Sequence, residues 1–127
     1  MEATYENDLP IKILVIDDSK LIHVLIDNIF KERNYHLIHA NNGKEALMLF
    51  EQNIDVKIVL LDIELPDING FELAKTIRSS SKAPILVQTG SINEEFNKKL
   101  SDNNLNHCIT KPFTRQSLLD KVEELIG

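Results

Sequence analysis

Five short apolar runs, each stopping at a polar or charged residue, constrain this chain more than anything else in it. They are IKILVI at 11–16, YHLIHA at 35–40, KIVLL at 57–61, APILVQ at 83–88 and the stretch Asn106–Thr110. Runs this short, rich in Val, Ile and Leu, read as strands buried on both faces. Between them lie stretches with a helical period. Ser19–Arg33 carries Leu21, Leu25 and Ile29 beside Ile22, Ile26 and Phe30, which predicts a wide apolar face. Asn42-Gly-Lys-Glu45 predicts an N-cap with a reciprocating glutamate, opening a helix that points Ala46, Leu47 and Phe50 inward. Asn69–Ser80 buries Phe71, Leu73, Ala74 and Ile77. Ser91-Ile-Asn-Glu94 predicts a capping box before a thin stripe of Ile92, Phe96 and Leu100. Thr114–Ile126 turns Leu118, Leu119, Val122, Leu125 and Ile126 to the core.

Strand and helix therefore alternate strictly, the pattern of an α/β domain with a parallel sheet covered on both faces. The chain's 127 residues suit one such domain. Residues 11–127 are expected to form it, and residues 1–10 to be a flexible leader. One cysteine excludes an internal disulfide framework. No apolar run approaches the roughly 18 residues of a membrane span, and no secretory signal opens the chain. The net charge is −6, and the three arginines, Arg33, Arg78 and Arg115, form no basic stripe. Direct contact with nucleic acid or membrane is therefore not expected, and a cytoplasmic location is.

In an open parallel sheet, ligands bind beyond the carboxyl ends of the strands. Asp17 and Asp18 follow the first run, Asp62 the third, Thr89 the fourth and Lys111-Pro112 the fifth. Taken singly these residues are ordinary: two acids can cap a helix, a threonine can sit in a turn. Jointly they deliver three carboxylates, a hydroxyl and an ammonium to one end of the sheet. Crowded carboxylates call for a hard cation such as Mg2+, and the lysine suits an anionic phosphoryl oxygen. A carboxylate so placed can act as a nucleophile towards phosphorus.

These residues stand in the motifs ILVIDDS at 13–19, LLDIELPDINGFEL at 60–73, Thr89 after ILVQ, and TKPF at 110–113. In them, from Ile11 to Ile126, the chain resembles the receiver domain of two-component response regulators, chemotaxis regulators in particular. The resemblance implies a flavodoxin-like, three-layer α/β fold with five strands in the order 2-1-3-4-5 and five helices. It implies Asp62 as phosphoacceptor and Asp17, Asp18 and Asp62 as Mg2+ ligands, with the backbone carbonyl of Glu64. Thr89 resembles the switch hydroxyl and Lys111 the phosphate-pairing lysine, followed by a cis peptide before Pro112. The implied donor is a sensor histidine kinase or a phosphotransfer protein; the downstream output stays unnamed. Three residues before the lysine, Cys108 stands where the family usually has Tyr or Phe, so a bulky ring is missing there. Gly90 stands where Ala is common, and Asn104-Leu-Asn106 replaces a frequent Gly-Ala turn.

Cys108 itself reads as a small hydrophobe in a strand. His23, His36, His39 and His107 show no metal-ligand spacing and read as solvated or edge residues. The expected function is a phosphoacceptor switch, not a turnover enzyme. The alternatives are a small Mg2+-dependent phosphatase, for which the loop from Ile63 to Asn69 is too short to form a cap, and a non-phosphorylated interaction domain.

Overall fold

The computed structural model describes residues 9–127, so most of the expected leader, residues 1–8, lies outside the described residues. The elements are β1 (Ile11–Ile16), α1 (Lys20–Phe30), β2 (Tyr35–Ala40), α2 (Gly43–Gln52) and β3 (Ile58–Asp62). They continue with α3 (Gly70–Arg78), β4 (Ile85–Thr89), α4 (Glu94–Asp102), β5 (His107–Thr110) and α5 (Arg115–Ile126). All strand pairs are parallel, in the order β2-β1-β3-β4-β5.

Period-two alternation splits the strands' side chains between two cores. Ile13, Val15, Ile58, Leu60 and Leu86 pack under Ile26, Ile29 and Phe30 of α1 and Leu118, Leu119 and Val122 of α5. Leu14, Ile16, Val59, Leu61, Ile85 and Val87 pack under Phe50 of α2, Leu73 and Ile77 of α3, and Leu100 of α4. Each such side chain contributes about 1.5–3 kcal/mol on burial, which drives both faces to be covered. β1 and β3 lie centrally and are the most apolar strands; β2 and β5 form the edges.

The register carries chemistry. Asp62 closes β3 opposite Gln88, and Thr89 closes β4 opposite Thr110. Both are the last residues of their strands, which run one residue further than the apolar runs alone suggest.

Three helices depart from expectation. α1 is shorter than 19–33 and narrower in its apolar face: Leu21 is 76% exposed and Leu25 39%. At about 100° per residue, Ile22, Ile26, Ile29, Phe30 and His23 share one arc, and Leu21 and Val24 fall outside it. α4 is capped by Asn93, whose Oδ1 accepts from the Phe96 N–H at 2.8 Å; Ser91 forms no capping box and lies before the helix. Ile92 is consequently exposed, leaving Leu100 buried and Phe96 half-buried. α2 is capped by Asn42 as expected, but the Glu45 carboxylate accepts from the Asn41 N–H at 2.7 Å, one residue earlier than a capping box requires.

Candidate functional site

Asp17 is held at all four of its polar positions. Its N–H donates to the Ala40 carbonyl at 3.1 Å, tying the end of β1 to the end of β2. Oδ1 accepts from the Ser19 N–H at 2.9 Å, and Oδ2 accepts from Lys111 Nζ at 2.8 Å. Its backbone carbonyl meets His23 Nε2 at 2.7 Å. The side chain is fully buried, whereas that of the adjacent Asp18 is exposed.

Asp62 lies beside them at the end of β3. Its Oδ1 accepts from the Glu64 N–H at 3.0 Å, and Lys111 Nζ stands 3.5 Å from its Oδ2. One carboxylate oxygen each from Asp17, Asp18 and Asp62 fall within 4.8 Å of one another. Burial pushes the Asp62 carboxyl above the usual carboxylate range, and Asp17 and Asp18 add to that; the Glu64 N–H and Lys111 pull it back. The donors are hard oxygens of like charge at the mouth of a sheet, with one carboxylate open to solvent. That donor set fits a divalent cation with room left for water, which is the habit of Mg2+.

Lys111 reaches the pair because β5 ends against β4: its N–H donates to the Thr89 carbonyl at 2.7 Å. The peptide bond that follows, Lys111-Pro112, is cis, as the resemblance implies. Its ammonium spans Asp17 and Asp62 and offsets part of their repulsion. Thr89 is brought to the same end of the sheet, yet its hydroxyl is turned into its own loop. Oγ1 donates to the Ser91 carbonyl at 3.0 Å and accepts from the Ser91 N–H at 3.3 Å. Glu64 is exposed and brings its N–H to Asp62.

The loop from Ile63 to Asn69 is fixed by contacts that no sequence spacing discloses. Glu64 and Asn69 bridge across it, and the Gly70 N–H donates to the Ile63 carbonyl at 3.2 Å. A Cβ on Gly70 would stand 2.6 Å from Ile63 Cα, so this approach requires glycine. Asp67 ties the loop to α2: its carboxylate accepts from the N–H groups of Gly43 at 2.8 Å and Lys44 at 3.0 Å. Those two bonds hold its carboxyl below the usual range.

The histidines require a correction. His23 is buried, 7% exposed, and lies on α1 rather than at an edge, whereas His39 stands on the edge strand β2 as expected. His23 Nδ1 meets His39 Nδ1 at 2.5 Å, and His39 Nε2 meets Asp27 Oδ1 at 2.8 Å. One signal was available: His23 falls on the buried arc of α1, one turn after the acidic pair.

Comparison with known proteins follows the same outline. The response regulator receiver domain model matches residues 13–123. A chemotaxis protein CheY homolog of Campylobacter jejuni is 33% identical over 120 residues, spanning 91% of this chain and 92% of its own length. The CAI-1 autoinducer sensor kinase/phosphatase CqsS of Vibrio cholerae is 35% identical over 116 residues, but this chain spans only 17% of its length. Among solved structures, chemotaxis protein CheY4 of Vibrio cholerae superposes with a TM-score of 0.85 at 26% identity, covering 91% of this chain and 98% of that one. With a match that runs from within β1 into α5 and a strand order to go with it, this chain belongs to the family of response regulator receiver domains.

Proposed function

We propose that Asp62 accepts a phosphoryl group from the phosphohistidine of a sensor kinase or phosphotransfer protein, with Mg2+ held by Asp17, Asp18 and Asp62. The observation that carries this reading is the shared position of Asp62, two further carboxylates and the Lys111 ammonium at one end of the sheet. A Mg2+ ion at these carboxylates would also be held by the Glu64 carbonyl, and it would offset negative charge on the transferring group. An Asp62 carboxylate oxygen attacks phosphorus, the bond from phosphorus to the donor imidazole nitrogen breaks, and an acyl phosphate forms. The Glu64 N–H keeps the other carboxylate oxygen oriented during the attack. Lys111 exchanges a carboxylate for a phosphoryl oxygen, as an ammonium on a flexible stem readily does. Thr89 trades its Ser91 contact for the new oxygen, which would move the loop into α4. Positioning and electrostatics carry most of such a transfer.

The domain is taken as residues 11–127 and its role as a switch rather than a turnover enzyme. The self-closed Ile63–Asn69 loop supports this, since it offers nothing that could cap a substrate. No helix among the described residues is long and apolar enough to cross a membrane. A kinase-type donor and a protein or domain as output are the partners proposed, with neither nucleic acid nor membrane touched directly, in a cytoplasmic setting. Mass measurement of the intact chain after incubation with a small phosphodonor tests the reading. One added phosphoryl group is expected with Mg2+, and none without it or in Asp62→Asn. Equal labelling of Asp62→Asn would overturn it.

A further inference from the structure

The contacts around Asp17 include one that the phosphoryl chemistry does not use. Asp17's backbone carbonyl meets His23 Nε2 at 2.7 Å, and a carbonyl oxygen can only accept, so that nitrogen carries a hydrogen. At the other end of the series, the Asp27 carboxylate accepts in the same way from His39 Nε2 at 2.8 Å. Between these two contacts the Nδ1 atoms of the rings face each other. Each ring is fixed from both sides. His23 lies on α1 and His39 on β2, so the series braces the acidic loop against two elements outside the site.

The position of the held atom matters. Asp17's carbonyl lies in the peptide plane that also carries the nitrogen and Cα of Asp18. Fixing that oxygen fixes where the Asp18 nitrogen and Cα lie, and so the point from which its exposed carboxylate leaves the chain. The Ser19 N–H and Lys111 hold Asp17's own side chain, but among the described contacts only His23 holds this carbonyl.

We infer that His23, locked by His39 and Asp27, is a positioning residue that aims the Asp17–Asp18 carboxylates at the metal. This rests on the reading that these carboxylates bind Mg2+. Groups beyond the first ligands that orient them commonly change metal affinity by roughly 10–100-fold when removed.

The test is Mg2+ binding alone, measured by calorimetry on the full chain, with metal-free melting temperature alongside. His23→Leu keeps apolar bulk and removes the N–H; His23→Gln keeps an N–H near the place of Nε2. A ring that only filled core space would tolerate Leu better than Gln. The positioning role reverses that order: Mg2+ affinity falls about tenfold in His23→Leu and stays within about threefold of the parent in His23→Gln. His39→Leu, a change at a partly exposed side chain, leaves His23 in place but unbraced and is expected to weaken Mg2+ by about threefold. Parent-like affinity in His23→Leu, or a Gln variant as weak as Leu, overturns the inference. If His23→Leu fails to fold, His39→Leu decides: weaker binding supports the inference and unchanged binding overturns it. A parent chain that binds no Mg2+ removes the metal reading itself, a result separate from a parent that binds and a variant that binds equally well.

Discussion

At the scale of single residues, the three acids of the site are in three different states. Asp17 is buried and paired, Asp18 is exposed, and Asp62 is buried with its nearest ammonium 3.5 Å away. Like charges within 4.8 Å of one another repel by about 1–3 kcal/mol at effective dielectrics between bulk water and a protein surface. At Asp62 burial disfavours the charged form more than this repulsion does, and the two act together. Its folded carboxyl lies above its unfolded value, so the folded chain binds the extra proton and loses stability as pH rises through that raised value. Removing the charge removes the loss. Metal-free Asp62→Asn should therefore melt a few degrees above the parent near neutral pH, the order of size that about 1 kcal/mol gives in a domain this large. Asp18→Asn should gain less, since solvent already screens that side chain. Asp17→Ala should melt lower, because it takes from Lys111 the nearer of its two carboxylates and strands the Ser19 N–H. Thermal melts in a metal-free buffer separate the three; a destabilised Asp62→Asn would contradict the ordering. Asp67 supplies the opposite sign. Its carboxyl is held low by the Gly43 and Lys44 N–H groups, so its contribution is full above the unfolded carboxylate value and is lost as pH falls through the lowered one. Asp67→Asn should be less stable than the parent at neutral pH, with the gap closing in acid. A gap independent of pH would remove the carboxylate from that account.

At the scale of elements, α4 is the weakly held helix. It buries Leu100 and half-buries Phe96, whose ring is tilted against that of Phe71 of α3 with centroids 6.1 Å apart, whereas α1 buries His23, Ile26, Ile29 and Phe30. Few buried contacts mean a low free energy of local opening, so amides of α4 should exchange faster than those of α1. Its entry loop is also where Thr89 spends its hydroxyl, on Ser91. Because Asn93 rather than Ser91 caps the helix, Asn93→Ala should cost about 1 kcal/mol and speed α4 exchange, while Ser91→Ala should leave it nearly unchanged. Hydrogen exchange followed by mass spectrometry reads both, and the reverse ranking would show that the cap is wrongly placed. Gly90 is not needed at the hinge by conformation: it has no positive φ, and a Cβ there would meet open space. With the partly buried Cys108 on β5 packed against the core, phosphorylation is expected to move 90–104 and leave β5 in place.

At the scale of the whole molecule, the sheet was legible because its information is local. Short apolar runs that stop at polar or charged residues name the strands, and parallel order follows from the helices between them. The clustering of Asp17, Asp18, Asp62 and Lys111 was legible for the same reason, since strand ends of a parallel sheet share one side. What escaped the sequence depends on contacts between distant residues: Asp67 on the α2 terminus, His23 against His39, the outward turn of Leu21. Periodicity shows that a helix has an apolar face but not which of two adjoining rows meets the sheet. The Asn93 cap was lost to a competing motif, Ser91 with Glu94, that spacing alone cannot rank. Ligand linkage also acts on the whole chain: Mg2+ at about 100 times its dissociation constant should add about 2.7 kcal/mol to stability. Asp62→Asn should lose most of that gain.

The chemical identity of the acceptor can be read directly. An acyl phosphate is reduced by borohydride to the alcohol, whereas a free carboxylate is not, so a phosphorylated aspartate is left as homoserine. The chain is treated with a small phosphodonor and Mg2+, reduced, digested and mapped by mass spectrometry. Homoserine at position 62 alone, dependent on Mg2+, is the result expected; homoserine at position 17 or 18, or an unreduced phosphoryl group on a histidine, would contradict Asp62 as the phosphoacceptor.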